Sequence, residues 1–254
     1  MREKYILSLV QFSHSSKTKN LPIWERGFSR SDEANLLIFN NSYAFILGLI
    51  FDHGIKSNIA WTSPHKLKQR LGHLNVKRVA DMEINQLTSV IAQKKSLHRF
   101  PKNTAKHIIE SSRIIRDKFR SKADLIWHEN KSIISAKKNF LKLCGIGEKK
   151  ANLAILLLAR EFRVKFDDVH LLDVALDSHV QRVLLRSGYF NTSTKEGTAE
   201  LNSAFREVHP NFPALLGTPL WYVGRHFCTM TQPKCKTCPV SKWCSKLFQR
   251  INET

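Results

Sequence analysis

Three groups of residues in this chain are of types and spacings that could do chemistry. Two adjacent lysines, Lys149 and Lys150, follow a glycine pair, Gly145 and Gly147, within the stretch KLCGIGEKKANLAILLLAR from Lys142 to Arg160. The glycines bracket one apolar residue, Ile146, so the backbone can turn sharply and aim its N–H groups at an anion. From Glu148 onward there is no Gly or Pro and the run is rich in Ala and Leu, which predicts a helix with both lysines in its first turn. Cations match a helix N-terminus poorly, so these lysines point to gripping a phosphate backbone and presenting an amine. Neighbouring helix positions lie about 100° apart; only one of the two faces a pocket, and Lys149 is preferred.

Asp177 forms the second group and stands about thirty residues later, opening the helix DSHVQRV, where its carboxylate caps free N–H groups and is thereby held still. The third is a set of four cysteines, Cys228, Cys235, Cys238 and Cys244, spaced C-x6-C-x2-C-x5-C. Four thiolates so close, with Pro233 and Pro239 as turn formers, can converge on one metal centre. The spacing alone accepts zinc and iron–sulfur alike, and its crowding argues against a distributed disulfide framework.

The elements that must position these groups read as helices. Tyr43 to Ile50 is almost wholly apolar and ends in the polar turn Asp52-His53-Gly54, which predicts a buried helix. Short helical stretches follow: one opened by Ser63 and Pro64 and closing near Gly72, then Asn75 to Ala80, Asn85 to Gln93, Pro101 to Phe119, Ala123 to Trp127 and Ser132 to Leu143. Beyond a loop from Glu161 to His170 come Val180 to Leu185, Asn202 to Val208 and Pro213 to Phe227. No alternating strand pattern and no repeat is found, so the chain is expected to be all-α, with roughly ten short helices. Residues 1–41 read as an N-terminal extension packing on the C-terminal part: an apolar stretch from Tyr5 to Phe12, a basic one from Ser13 to Asn20 and a helix from Ser31 to Phe39. Trp61, Trp127 and Trp221 are expected in the core.

Over 254 residues, Lys plus Arg outnumber Asp plus Glu by 41 to 21, a net charge of +20. The basic residues are scattered through every segment, which favours nucleic acid over a membrane surface as the polyanionic partner. No window reaches the ~20 apolar residues that span a bilayer, and the start lacks a small-residue cleavage site. An intracellular location in cytoplasm, nucleoid or nucleus is expected, with a reducing environment for the cysteines.

Taken in order, the helix–glycine turn–helix GIGEK, the helix-opening Asp177 and the four-cysteine spacing resemble the helix-hairpin-helix base-excision DNA glycosylases of the endonuclease III branch. The resemblance covers about Ser42 to Lys246. It implies a two-lobed HhH-GPD fold, with a six-helix barrel over 42–165, its hairpin at about 137–158, and a cluster domain over 166–254. A cleft between the lobes would expose Lys149 and Asp177 to each other. It implies double-stranded DNA as partner, a monomer, and excision of a damaged or modified base with an AP lyase step. Gly145 and Gly147 would hold a phosphate by their N–H groups, and Lys149 would be the nucleophile that forms a Schiff base. Asp177 would stabilise positive charge on the sugar, and Lys150 would be a phosphate-facing neighbour. The four cysteines would hold a structural [4Fe–4S] cluster that orients a basic loop with Lys234 and Lys236.

Two departures from that pattern stand out: Cys144 where many relatives carry proline, and Asp52-His53-Gly54 where relatives place a glutamine. The damage-reading surface therefore differs, and the sequence does not name the base. His53 is a candidate base reader or wedge, and Arg99 with Phe100 is a candidate filler of the gap left by an extruded nucleotide. His179 reads as a helix-start packing residue. Two alternatives remain: a monofunctional glycosylase in which Asp177 activates water, and a non-catalytic, structure-specific DNA-binding module.

Overall fold

The computed structural model describes residues 1–14, 28–129 and 131–247; most of the basic stretch from Ser13 to Asn20 lies outside them. Among the described residues there are helices and no strands. They form two compact units, one of residues 28–167 and one that joins residues 1–14 to 168–247.

The first unit begins with α1's successors in the chain, so the labels run from the N-terminus: α1 (Arg2–His14), α2 (Asp32–Asn40) and α3 (Ser42–Phe51). There follow α4 (Ser57–Leu71), α5 (Val76–Ala80), α6 (Ile84–Ala92), α7 (Pro101–Lys118), α8 (Leu125–His128), α9 (Ile133–Phe140) and α10 (Glu148–Arg160). Starts are set by short polar side chains: Ser31, Asn41, Asn75 and Ser132 each accept a backbone N–H of the first turn they precede. All of α3 from Tyr43 to Phe51 is buried, with α2, α4 and α7 packed on it. Its Phe45 meets Trp61 at 5.8 Å and Phe162 at 5.1 Å between ring centroids, and Trp127 stacks on Phe140. Arg70 of α4 donates to the carbonyls of Val90 and Ile91 at 2.7 and 3.1 Å, satisfying the exposed end of α6. Together these contacts hold α3 against α2, α4 and α7.

One expected boundary is corrected. Ser63 and Pro64 do not open a helix but lie inside α4. The Ser63 hydroxyl lies 2.9 Å from Ile59 O and 3.0 Å from Leu97 O, sharing its hydrogen between them and anchoring this turn to the 97–100 loop.

The second unit contains α1, α11 (Ser178–Ser187), α12 (Lys195–Val208) and α13 (Gly217–His226). α12 starts earlier than its apolar residues suggest because Thr194 caps it by accepting from Gly197 N. Tyr5, Ile6 and Leu9 of α1 pack in a core with Val183, Leu184, Phe205, Leu220 and Val223. The apolar stretch at the N-terminus is thus a helix with one face in this core. Trp61 and Trp127 are buried as expected, while Trp221 is half-buried.

Candidate functional site

The glycine turn joins α9 to α10. Gly145 has φ +78°, a left-handed conformation, and a Cβ there would lie 2.6 Å from His107 Nδ1, so both the backbone and the space require glycine. Ser111 of α7 clasps the turn from below, accepting from Cys144 N at 3.0 Å and donating to Cys144 O at 3.3 Å. Burial raises the Cys144 thiol to about 11, so it stays a neutral packing group. Gly147 precedes the helix with no side-chain cap, and nothing lies within 4 Å of where its Cβ would be. The first turn of α10 is thus left without a side-chain cap, so its N–H groups are available to a phosphate.

The two lysines part company here. Lys149 is exposed. Lys150 is 8% exposed, and its ammonium donates to Gly145 O at 2.9 Å and Ile50 O at 3.4 Å. Burial lowers its pKa to about 8, with Asp52 acting in the opposite direction and Lys149 reinforcing the fall. The sequence reading of Lys150 as a phosphate-facing neighbour is corrected: it points inward, onto the hairpin and the end of α3. The signal in the sequence was its place one residue round the helix from Lys149, which puts it on the buried face with Ala151 and Ala154.

Around the same region lie the turn after α3 and the loop before α7. His53, Arg99 and Phe100 are exposed, and the Arg99 guanidinium lies 5.2 Å over the Phe100 ring. Between them is His98, 4% exposed, which sequence reasoning did not single out. Phe100 N donates to His98 Nδ1 at 3.0 Å, so the other nitrogen carries the proton, and His98 Nε2 donates to His53 O at 2.8 Å. Burial is the main influence holding the His98 pKa below its ordinary value. Thr104 completes the loop, its hydroxyl within 2.8 Å of both His98 Nδ1 and Phe100 O.

In the second unit Asp177 caps α11, its Oδ1 accepting from His179 N at 2.9 Å and Val180 N at 2.8 Å. No bond to Oδ2 is recorded among the described residues, leaving that oxygen for other use. His179 packs edge-on against Trp221 and accepts from Arg182 at 3.0 Å, a structural role. Cys228, Cys235, Cys238 and Cys244 line one cavity, with Tyr5, Val183, Arg186 and Val240 completing its wall. Among the described residues no three His, Cys, Asp or Glu side chains approach closely enough to hold a single metal ion. Arg186 reaches Cys228 Sγ at 3.6 Å and donates to Thr229 O and Met230 O at 2.6 and 2.8 Å, fixing the loop that leads from the first cysteine. Burial raises the Cys238 thiol to about 11 and moves Cys235 and Cys244 in the same direction. Lys234 and Lys236 flank Cys235 and are exposed.

No protein-family model matches the chain. It is 26% identical over 174 residues to endonuclease III of Buchnera aphidicola, covering 65% of this chain and 77% of that protein. To endonuclease III of Thermotoga maritima it is 28% identical over 142 residues, 55% of each. Among solved structures, a trapped endonuclease III–DNA covalent intermediate superposes with a TM-score of 0.68 at 16% identity, covering 99% of both chains. A thermostable thymine-DNA glycosylase superposes with a TM-score of 0.63 at 14% identity, covering 98% of this chain and 97% of that one. The chain is an all-α protein of the helix-hairpin-helix (HhH-GPD) glycosylase fold, related in sequence to endonuclease III.

Proposed function

We propose that this protein is a DNA glycosylase that removes a damaged or modified base from duplex DNA and then cleaves the strand through a lysine Schiff base. The observation that carries the reading is the uncapped start of α10 behind the Gly145–Gly147 turn, with an exposed lysine at its second position. The first-turn N–H groups and the net charge of +20 supply the phosphate grip without reading sequence. Kinship with endonuclease III supports the reaction class, which here rests on this chain's own residues.

In the proposed chemistry the Lys149 amine attacks C1′ of the deoxyribose. The C1′–N bond breaks and the base leaves, taking a proton. The sugar ring opens to an imine with Lys149; loss of a C2′ proton then expels the 3′ phosphate, and water releases the lysine. Asp177 Oδ2 stabilises positive charge developing on the sugar while Oδ1 stays bound to the cap. Arg99 with Phe100, and His53, fill the space left by the extruded nucleotide.

The four cysteines are proposed to hold a [4Fe–4S] cluster. All four line one cavity, and four cysteines are a ligand set that such a cluster accepts. The buried Tyr5 hydroxyl belongs to the same cavity wall, a polar group suited to neighbouring sulfur atoms. The cluster would supply the charge that keeps the thiolates ionised; this chain's residues orient Lys234 and Lys236 from its rim.

A monofunctional reading, in which Asp177 directs water to the sugar, is favoured by one feature, the unengaged Oδ2. Duplexes carrying oxidised, deaminated, mismatched, alkylated and hypermodified bases separate the readings. Base release with strand nicking supports the lyase, and release without nicking the water route. Asp177→Asn, which keeps a cap, should stop turnover while leaving DNA affinity nearly intact; unchanged turnover would reject the assigned role.

A further inference from the structure

We propose that His98 and Lys150 are positioning residues that pin the turn at 52–54 between the hairpin and the 99–100 loop, so that three DNA-facing loops act as one body. This rests on the glycosylase reading for its functional consequence, but not for its geometry.

The three loops come from far-separated parts of the chain: the end of α3, the start of α7 and the start of α10. Each bears an exposed candidate, His53, Arg99 with Phe100, and Lys149. A loop held only by its own backbone opens with little cost. Here two buried polar side chains tie them together. Lys150 spans from Gly145 O in the hairpin to Ile50 O in the last turn of α3. His98 spans from Phe100 N to His53 O, using both ring nitrogens. The turn is thus held at both ends, at residue 50 by the hairpin and at residue 53 by the 99–100 loop. His107 closes the ring of contacts by seating under Gly145, and a Cβ on Gly54 would touch the Phe100 ring at 3.4 Å.

A buried lysine and a buried histidine each carry a desolvation cost. An apolar pair would fill the space without it, but would leave Gly145 O, Ile50 O and His53 O short of these donors. The polar pair fixes the loops' register directly. Flipping a base and attacking its sugar demand that wedge and amine keep one geometry to within about an ångström, and these pins supply it before DNA arrives.

The test divides the pins. His98→Asn keeps an acceptor for Phe100 N and loses the donor to His53 O; His98→Gln does the reverse; Lys150→Met loses both of its bonds. Hydrogen exchange of amides 51–55 in the full chain should quicken in His98→Asn and Lys150→Met, and stay nearly normal in His98→Gln. Single-turnover excision should slow about tenfold in each of the first two, with affinity for an abasic-site duplex changed less than threefold. The double variant should slow much less than the product of the two, because one turn cannot be released twice. Equal exchange in all variants, or fully multiplicative slowing, overturns the proposal. If no duplex in the panel is turned over by the wild type, the glycosylase reading fails, while the exchange experiment still decides the pinning. Should His98→Asn not fold, His98→Gln and Lys150→Met give the same contrast.

Discussion

The buried Lys150 ammonium makes the stability of this protein depend on pH in a way that can be worked out beforehand. Its pKa stands at about 8 against an ordinary 10.5. The folded state thus binds the proton less tightly than the unfolded chain does, and between those values the unfolded chain carries more protons. Stability contributed by this group is therefore fully present above 10.5 and lost as pH falls through 8. The whole difference is on the order of 3 kcal/mol, and roughly 1 kcal/mol of it falls between pH 7 and pH 9. Lys150→Met does not titrate at this position, so subtracting its stability from that of the wild type cancels the groups that do not interact with Lys150. Urea unfolding at pH 7, 8 and 9, followed by far-UV dichroism, should show the difference moving in favour of the wild type by roughly 1 kcal/mol. Its sign at pH 7 is immaterial, since Met removes two hydrogen bonds as well as a charge. A difference that stays flat from pH 7 to pH 9 would refute the inward, desolvated placement of Lys150.

Gly145→Ala forces a side chain into the left-handed region and against His107, so it should destabilise the protein by at least ~1 kcal/mol. It should also weaken binding to duplex DNA in a gel-shift titration; unchanged affinity would separate the hairpin from phosphate binding. Tyr5→Phe removes a buried hydroxyl from the wall of the cysteine cavity. With a cluster loaded, its midpoint potential should move to more negative values, because a hydrogen bond to sulfur favours the reduced form. Identical potentials in both proteins would show that the hydroxyl serves packing alone. The wild type itself should be brown, and a colourless protein with one bound zinc would reject the cluster.

What the sequence disclosed followed from local rules. The all-α architecture, the buried helix before Asp52 and the cap at Asp177 were legible because periodicity, breakers and capping residues act within a few residues of chain. The α4 boundary is not legible, because Ser-Pro is a helix-start signal locally, whereas here the helix begins at Ser57 and Ser63 turns its hydroxyl to Leu97 O, a contact with a distant loop. His98 was invisible since its meaning lies in a bond to His53, forty-five residues away in sequence. Lys150 was legible as the lesser of two lysines, but not as a buried strut; that depends on α3 packing beneath the hairpin, which no local pattern encodes. The four cysteines could be grouped from spacing, while the Tyr5 hydroxyl in their cavity wall comes from the other end of the chain.

The proposed chemistry depends on the exposed lysine at the start of α10 being the attacking amine. Borohydride reduction during incubation with a duplex carrying a substrate base tests it most directly, by fixing the imine as a covalent protein–DNA complex. A trapped complex is expected with the wild type, a slower-forming one with Lys150→Met, and none with Lys149→Ala. A complex that persists in Lys149→Ala and disappears in Lys150→Met would contradict it and move the chemistry to the buried lysine.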